Sequence, residues 1–131
     1  VTFNYLQEGF GMLEDGLYVL EDNLADEAFK DKMIRFVRAS MKGWKYAEEN
    51  QEEAAQIILD NDETGAQTLD HQVYMMGEIA KLTAGSDGSL DPADYEQTVQ
   101  TLLKAVSPEN PAITKEPSGA WTHDITDAAL N

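Results

Sequence analysis

The sequence predicts a mostly helical chain with two short strands near its start. Two patterns carry that expectation. Apolar residues alternate at Val1, Phe3 and Tyr5, and from Asp26 onward they recur three or four apart in four separate stretches. A third observation sets the scale: 131 residues, 42% of them hydrophobic and 8% aromatic, are about one domain and enough apolar side chain to order it.

The first strand runs into the glycine-bearing stretch Glu8 to Gly16, "EGFGMLEDG", and the second is Leu17-Tyr18-Val19-Leu20, rich in residues that suit a pleated surface. The first helix starts near Asp26. Its stripe holds Phe29, Met33, Phe36 with Val37, Ser40 with Met41, Trp44 and Ala47. A second helix covers Glu52–Leu59 through Ala54, Ala55, Ile57 and Ile58, and "NDETG" ends it. A third spans about Thr68–Thr83 through Leu69, Val73, Met76, Ile79 and Ala80.

A fourth helix follows the loop Gly85–Leu90 and sets Tyr95, Val99, Leu102, Leu103 and Val106 on one face. The stretch after it, "SPENPAITKEPSGAWTH", holds three of the four prolines and reads as extended, with a helical turn in "DITDAAL".

Nine basic against 25 acidic residues give a formal charge of −16, which repels phosphate backbones and anionic headgroups and argues against nucleic acid as a partner. With no cysteine there are no disulfides, thiolate metal sites or cysteine nucleophiles. No apolar run reaches the length of a membrane span.

"GSDGSLDPADYE", Gly85 to Glu96, looks like half of a calcium loop. Setting Gly88 at that loop's obligatory glycine makes Asp94 the closing acid but drops the first two ligand positions on Thr83 and Gly85. A hard cation cannot replace two carboxylates with those. A helix cap accounts for the residues better: Asp91 at N-cap, Pro92 at the first helical position and Asp94 near the positive end of the dipole. His71 and His123 lie far apart without a second ligand at helical spacing, so no metal site is expected.

The acid pairs Glu48–Glu49, Glu52–Glu53 and Asp60–Asp62 read as solvated faces, and no catalytic residue is expected among them. Trp44 falls on the helical stripe and reads as core, while the spacing leaves Tyr46 open. In the loop Gly9–Gly16 the glycines allow close backbone approach, while an aromatic, a methionine and an acid project from it. Spacing alone supports a binding loop and an ordinary interstrand turn equally.

The run "FVRASMKGWKYAEENQEEAAQIIL", Phe36 to Leu59, resembles the helix pair of extracytoplasmic solute-binding proteins that serve ABC importers of thiamine-pyrimidine precursors, nitrate, sulfonates and taurine. The likeness extends to "GLYVLEDNL" at Gly16–Leu24, "LDPADYEQTVQTLL" at Leu90–Leu103 and "GAWTHDITDAAL" at Gly119–Leu130. It implies an α/β periplasmic-binding-protein-like (type II) fold in the intact protein, with this chain as its mostly helical C-terminal part bearing two short strands. Residues 1–15 would be the end of the second lobe and the interlobe crossover, and 16–131 the return to the first lobe. An N-terminal lobe holding most of the sheet would be missing.

The resemblance gives the glycine loop a role, because the crossover faces the ligand cleft. It implies a ligand site at Gly9, Phe10, Gly11, Met12, Leu13 and Glu14: apolar or stacking contact from Phe10, Met12 and Leu13, and polar orientation by backbone N–H groups or Glu14. The implied activity is binding rather than catalysis. A small solute, either a pyrimidine precursor or an anion such as nitrate or a sulfonate, is held between two lobes and delivered to an ABC permease in a periplasmic or extracytoplasmic setting, without a cofactor. One alternative is an enzyme on the same fold, similar to the pyrimidine-precursor synthases, but those rely on a cysteine-rich motif that this chain lacks. Another is a helical interaction module docking a partner through its apolar faces. The implied half-protein would also self-associate through exposed strand edges.

Overall fold

The computed structural model describes residues 1–5, 7–104 and 112–131, and the regular secondary structure among them is all helical. A 3₁₀ turn at Glu21–Ala25 precedes α1 (Glu27–Glu49), α2 (Gln51–Asp60), α3 (Leu69–Thr83), α4 (Pro92–Lys104) and α5 (Asp124–Leu130). Both expected strands fail, and with them the two-strand α/β type II assignment: no strand occurs among the described residues. The reason is that a strand exists only through its partner. Leu17–Leu20 carries residues that suit a strand but finds no partner strand among the described residues, and the N-terminal residues instead close a turn through Glu8 N–H to Asn4 C=O (3.1 Å) and Phe10 N–H to Tyr5 C=O (2.8 Å). The helices stand where the periodicity sets them. Residues 112–123 form only bends, and Val106 lies outside the described residues.

The chain divides into two compact units, one made of Val1–Glu27 and Ser89–Asp124, the other of Ala28–Gly88 and Ile125–Asn131. In the second, α1 ends at Asn50, whose backbone leaves the helical region (φ −134°, ψ 56°). The side-chain Nδ2 and the backbone N–H of Asn50 both donate to Tyr46 C=O (2.9 Å each), and its own C=O accepts from Ala54 N–H (2.9 Å). One residue thus closes α1 and opens α2. The two small residues Ala54 and Ala55 are buried where α2 packs on α3. Thr68 caps α3 by accepting from His71 N–H, so His71 takes part through its backbone.

The stripe of α1 is less buried than its periodicity implies. Val37 is buried, but Phe36 is 51% and Trp44 54% exposed, so the core reading of Trp44 does not hold. Arg38 spans 90 residues of sequence: its Nε donates to Ala129 C=O and its Nη2 to Ala128 C=O, both at 3.0 Å, satisfying the last carbonyls of α5. The turn after α3 ends at Gly88, which has φ +85° and lies against the Met41 side chain.

In the first unit, α4 begins as the cap predicts. Asp91 Oδ1 accepts from Ala93 N–H at 2.7 Å, and Asp91 C=O accepts from Tyr95 N–H at 3.0 Å, with Pro92 at the first helical position. Val99 and Thr101 are buried on this helix. His123 is half-buried, with its Nε2 2.9 Å from Leu90 C=O and its ring tilted onto Trp121 (4.7 Å between centroids), and Trp121 meets Tyr95 edge-on at 6.2 Å. His123 therefore holds the turn ahead of α4.

Candidate functional site

Two hollows stand out among the described residues. The larger, about 630 Å³, lies at the junction of α1 and α2 and is lined by Glu49, Asn50, Gln51, Glu52, Glu53, Gln56 and Leu69. Tyr46 stands beside it on α1 and hydrogen-bonds Glu53, whose carboxylate raises the Tyr46 phenol above its ordinary range. The lining offers three carboxylates, three amides and one apolar side chain, and no cation. Among the described residues no group of three or more His, Asp or Glu is placed to hold a metal. This is a solvated acidic face.

The second hollow, about 450 Å³, lies within the first unit and joins the glycine loop to α4. Gly9 and Phe10 form one wall, and Gln97, Gln100, Thr101 and Lys104 the other. The four helical residues follow the spacing i, i+3, i+4, i+7, so they fall on one face of α4. Gly9 takes φ +85°, which turns the chain so that the backbone edge and the Phe10 ring come to this face. Phe10 is 55% exposed, so most of its ring is available to a ligand.

Two hydrogen bonds fix the loop. Phe10 N–H is bound to Tyr5 C=O, and Leu13 N–H donates to Thr98 Oγ1 at 2.9 Å. Thr98 in turn donates to Asp94 C=O, also at 2.9 Å, so its hydroxyl is oriented by the helix that carries it. Gln100 Nε2 donates to Glu96 Oε1 (2.9 Å) and to Glu116 Oε1 (3.4 Å), which holds that amide in place. The site thus has one aromatic ring, two carboxamides, a hydroxyl and an ammonium group. This set can position and neutralise a small polar molecule, but it contains no nucleophile paired with a base.

Of the six residues expected to contact ligand, Gly9 and Phe10 line the hollow and the other four do not. Gly11 is half-buried beside it, Met12 and Leu13 are exposed further along the loop, and Glu14 is exposed beyond them. Gln97, Gln100, Thr101 and Lys104 were not among the expected contacts. The signal available for them is a polar stripe at helical spacing on the side of α4 away from Tyr95, Val99 and Leu102. Comparison with protein-family models, with curated proteins and with solved structures finds no match to the chain.

Proposed function

We propose that the chain belongs to the solute-binding component of an ABC importer, which captures a small organic or anionic solute between two lobes and hands it to a permease. The observation that carries this reading is the meeting of Gly9 and Phe10, on the loop that the resemblance places at the cleft, with the polar face of α4 around one hollow. The reading does not rest on the two strands, which the described residues lack; the residues it calls on lie on a loop and a helix. The acidic charge of −16 suits a protein that diffuses freely outside the cytoplasm, and no helix among the described residues is long and apolar enough to cross a membrane.

The test is a calorimetric titration with a pyrimidine precursor, nitrate, taurine and an alkanesulfonate, on the wild type and Phe10→Ala. One of these solutes should bind, with affinity about ten-fold lower in the variant, since an aromatic contact of this kind contributes about 0.5–1.5 kcal/mol beyond the area it covers. Binding of none of the four would remove the reading.

A second reading has its own observation. Phe36, Trp44, Tyr74 and Leu82 are exposed on the helices of the second unit, as a helical interaction module requires. Sedimentation at two protein concentrations, with and without solute, separates the two readings: the module gives no response to solute, the importer component does.

A further inference from the structure

The lining of the smaller hollow has an electrostatic asymmetry that the solute-binding reading does not itself require. Gln97, Gln100 and Thr101 are neutral, Lys104 is a cation, and among the described residues no acid lines the hollow in a chain whose formal charge is −16. The carboxylates of Glu96 and Glu116 both accept from the Gln100 amide, and neither is among the lining residues. Among the described residues Lys104 forms no ion pair, unlike Arg35 with Asp31, Lys45 with Glu49 and Lys81 with Glu78. Its ammonium is exposed at the last turn of α4 and carries three donors suited to an anionic group.

We propose that Lys104 is the charge-selecting residue of this hollow, which takes an organic anion with its apolar body against the Phe10 ring and its anionic group on Lys104 Nζ. The proposal rests on the solute-binding reading and deepens it. Each part follows from a distinct contribution. Phe10 offers a flat apolar face but no charge preference. The amides and the hydroxyl donate and accept, so they tolerate neutral and anionic ligands alike. The background field of the chain disfavours anions, so a preference for them calls for a local cation, and Lys104 is the cation among the described lining residues.

The test uses benzoate and benzamide, which share size and ring and differ in charge, titrated into the 131-residue chain by calorimetry. Wild type should bind benzoate more tightly than benzamide by about ten-fold, the size of a charge-assisted hydrogen bond at a partly solvated site. Lys104→Met should erase the preference and Lys104→Arg restore it, while Phe10→Ala weakens both probes together. Because the Lys104 side chain is exposed, the melting temperature should stay within about a degree across the position-104 variants, which confirms an intact fold. Equal binding of the two probes to wild type, or a benzoate preference that survives Lys104→Met, overturns the charge-selecting role while leaving solute binding intact. Failure of both probes to bind overturns the ligand class as well, and the four-solute titration then decides the function independently.

Discussion

Gly88→Ala probes how the turn between α3 and α4 is built. Two costs act at this position. Gly88 sits at φ +85°, where a side chain clashes with its own backbone by about 1–2 kcal/mol. An added Cβ would also lie 2.5 Å from Met41 Sδ and 2.9 Å from Met41 Cε. Those atoms end a flexible side chain, so Met41 can rotate away at a cost near the lower end of the ~1–3 kcal/mol seen for overpacking. The total comes to roughly 2–3 kcal/mol.

Gly85 supplies the control, because it has a similar φ of +80° but nothing within 4 Å of its added Cβ. Gly85→Ala should therefore lose only the backbone part, about 1–2 kcal/mol. Urea denaturation followed by circular dichroism measures both. The two variants should differ by about 1 kcal/mol, and Met41→Ala combined with Gly88→Ala should close that gap. Equal losses at the two glycines would refute the contact with Met41 and leave only the backbone conformation.

Arg38→Ala should melt α5 selectively: seven residues are too few to hold a helix alone, and the substitution strips two charge-assisted bonds from the carbonyls of Ala128 and Ala129. Hydrogen exchange should show protection lost over Ile125–Leu130 while α2 and α3 keep theirs. Asp62 accepts from the Thr64 hydroxyl and from the backbone N–H groups of Gln67 and Thr64, which holds its carboxyl below the usual aspartate range. A folded-state value lower than the unfolded one means that its stabilisation is present above about pH 4 and lost as pH falls through the depressed value, so Asp62→Asn should flatten the acid limb of the stability curve. Thr98→Val removes the acceptor for Leu13 N–H without touching the lining of the hollow, and should weaken solute binding about three-fold by loosening the loop, with Lys104 still selecting charge.

The helices were legible because their signals are local. Asp91 with Pro92, Thr68 ahead of Leu69, and the three-to-four spacing of Phe29, Met33 and Val37 each act within a few residues; α1 and α3 begin and end, and α4 begins, close to where those residues put them. The strands and the core were not, because pairing and burial are relations between segments. Leu17–Leu20 carries the right residues for a strand and finds no partner among the described residues, while Phe36 and Trp44 sit on a helical stripe and stay about half exposed. In the hollow, Phe10 was legible as a projecting aromatic among glycines. The residues opposite it were hidden by the bond from Leu13 to Thr98, which brings together positions 85 apart in the sequence.

The proposed capture of a small solute at the Phe10–Lys104 hollow is tested by nuclear magnetic resonance of the labelled chain titrated with the solute that calorimetry selects. Saturable shifts are expected in the amides of Gly9, Phe10, Gln97, Gln100, Thr101 and Lys104, with Glu49–Gln56 at the acidic hollow unmoved. Shifts centred on Glu49–Gln56, or none at the glycine loop and α4 while solute binds, would contradict it.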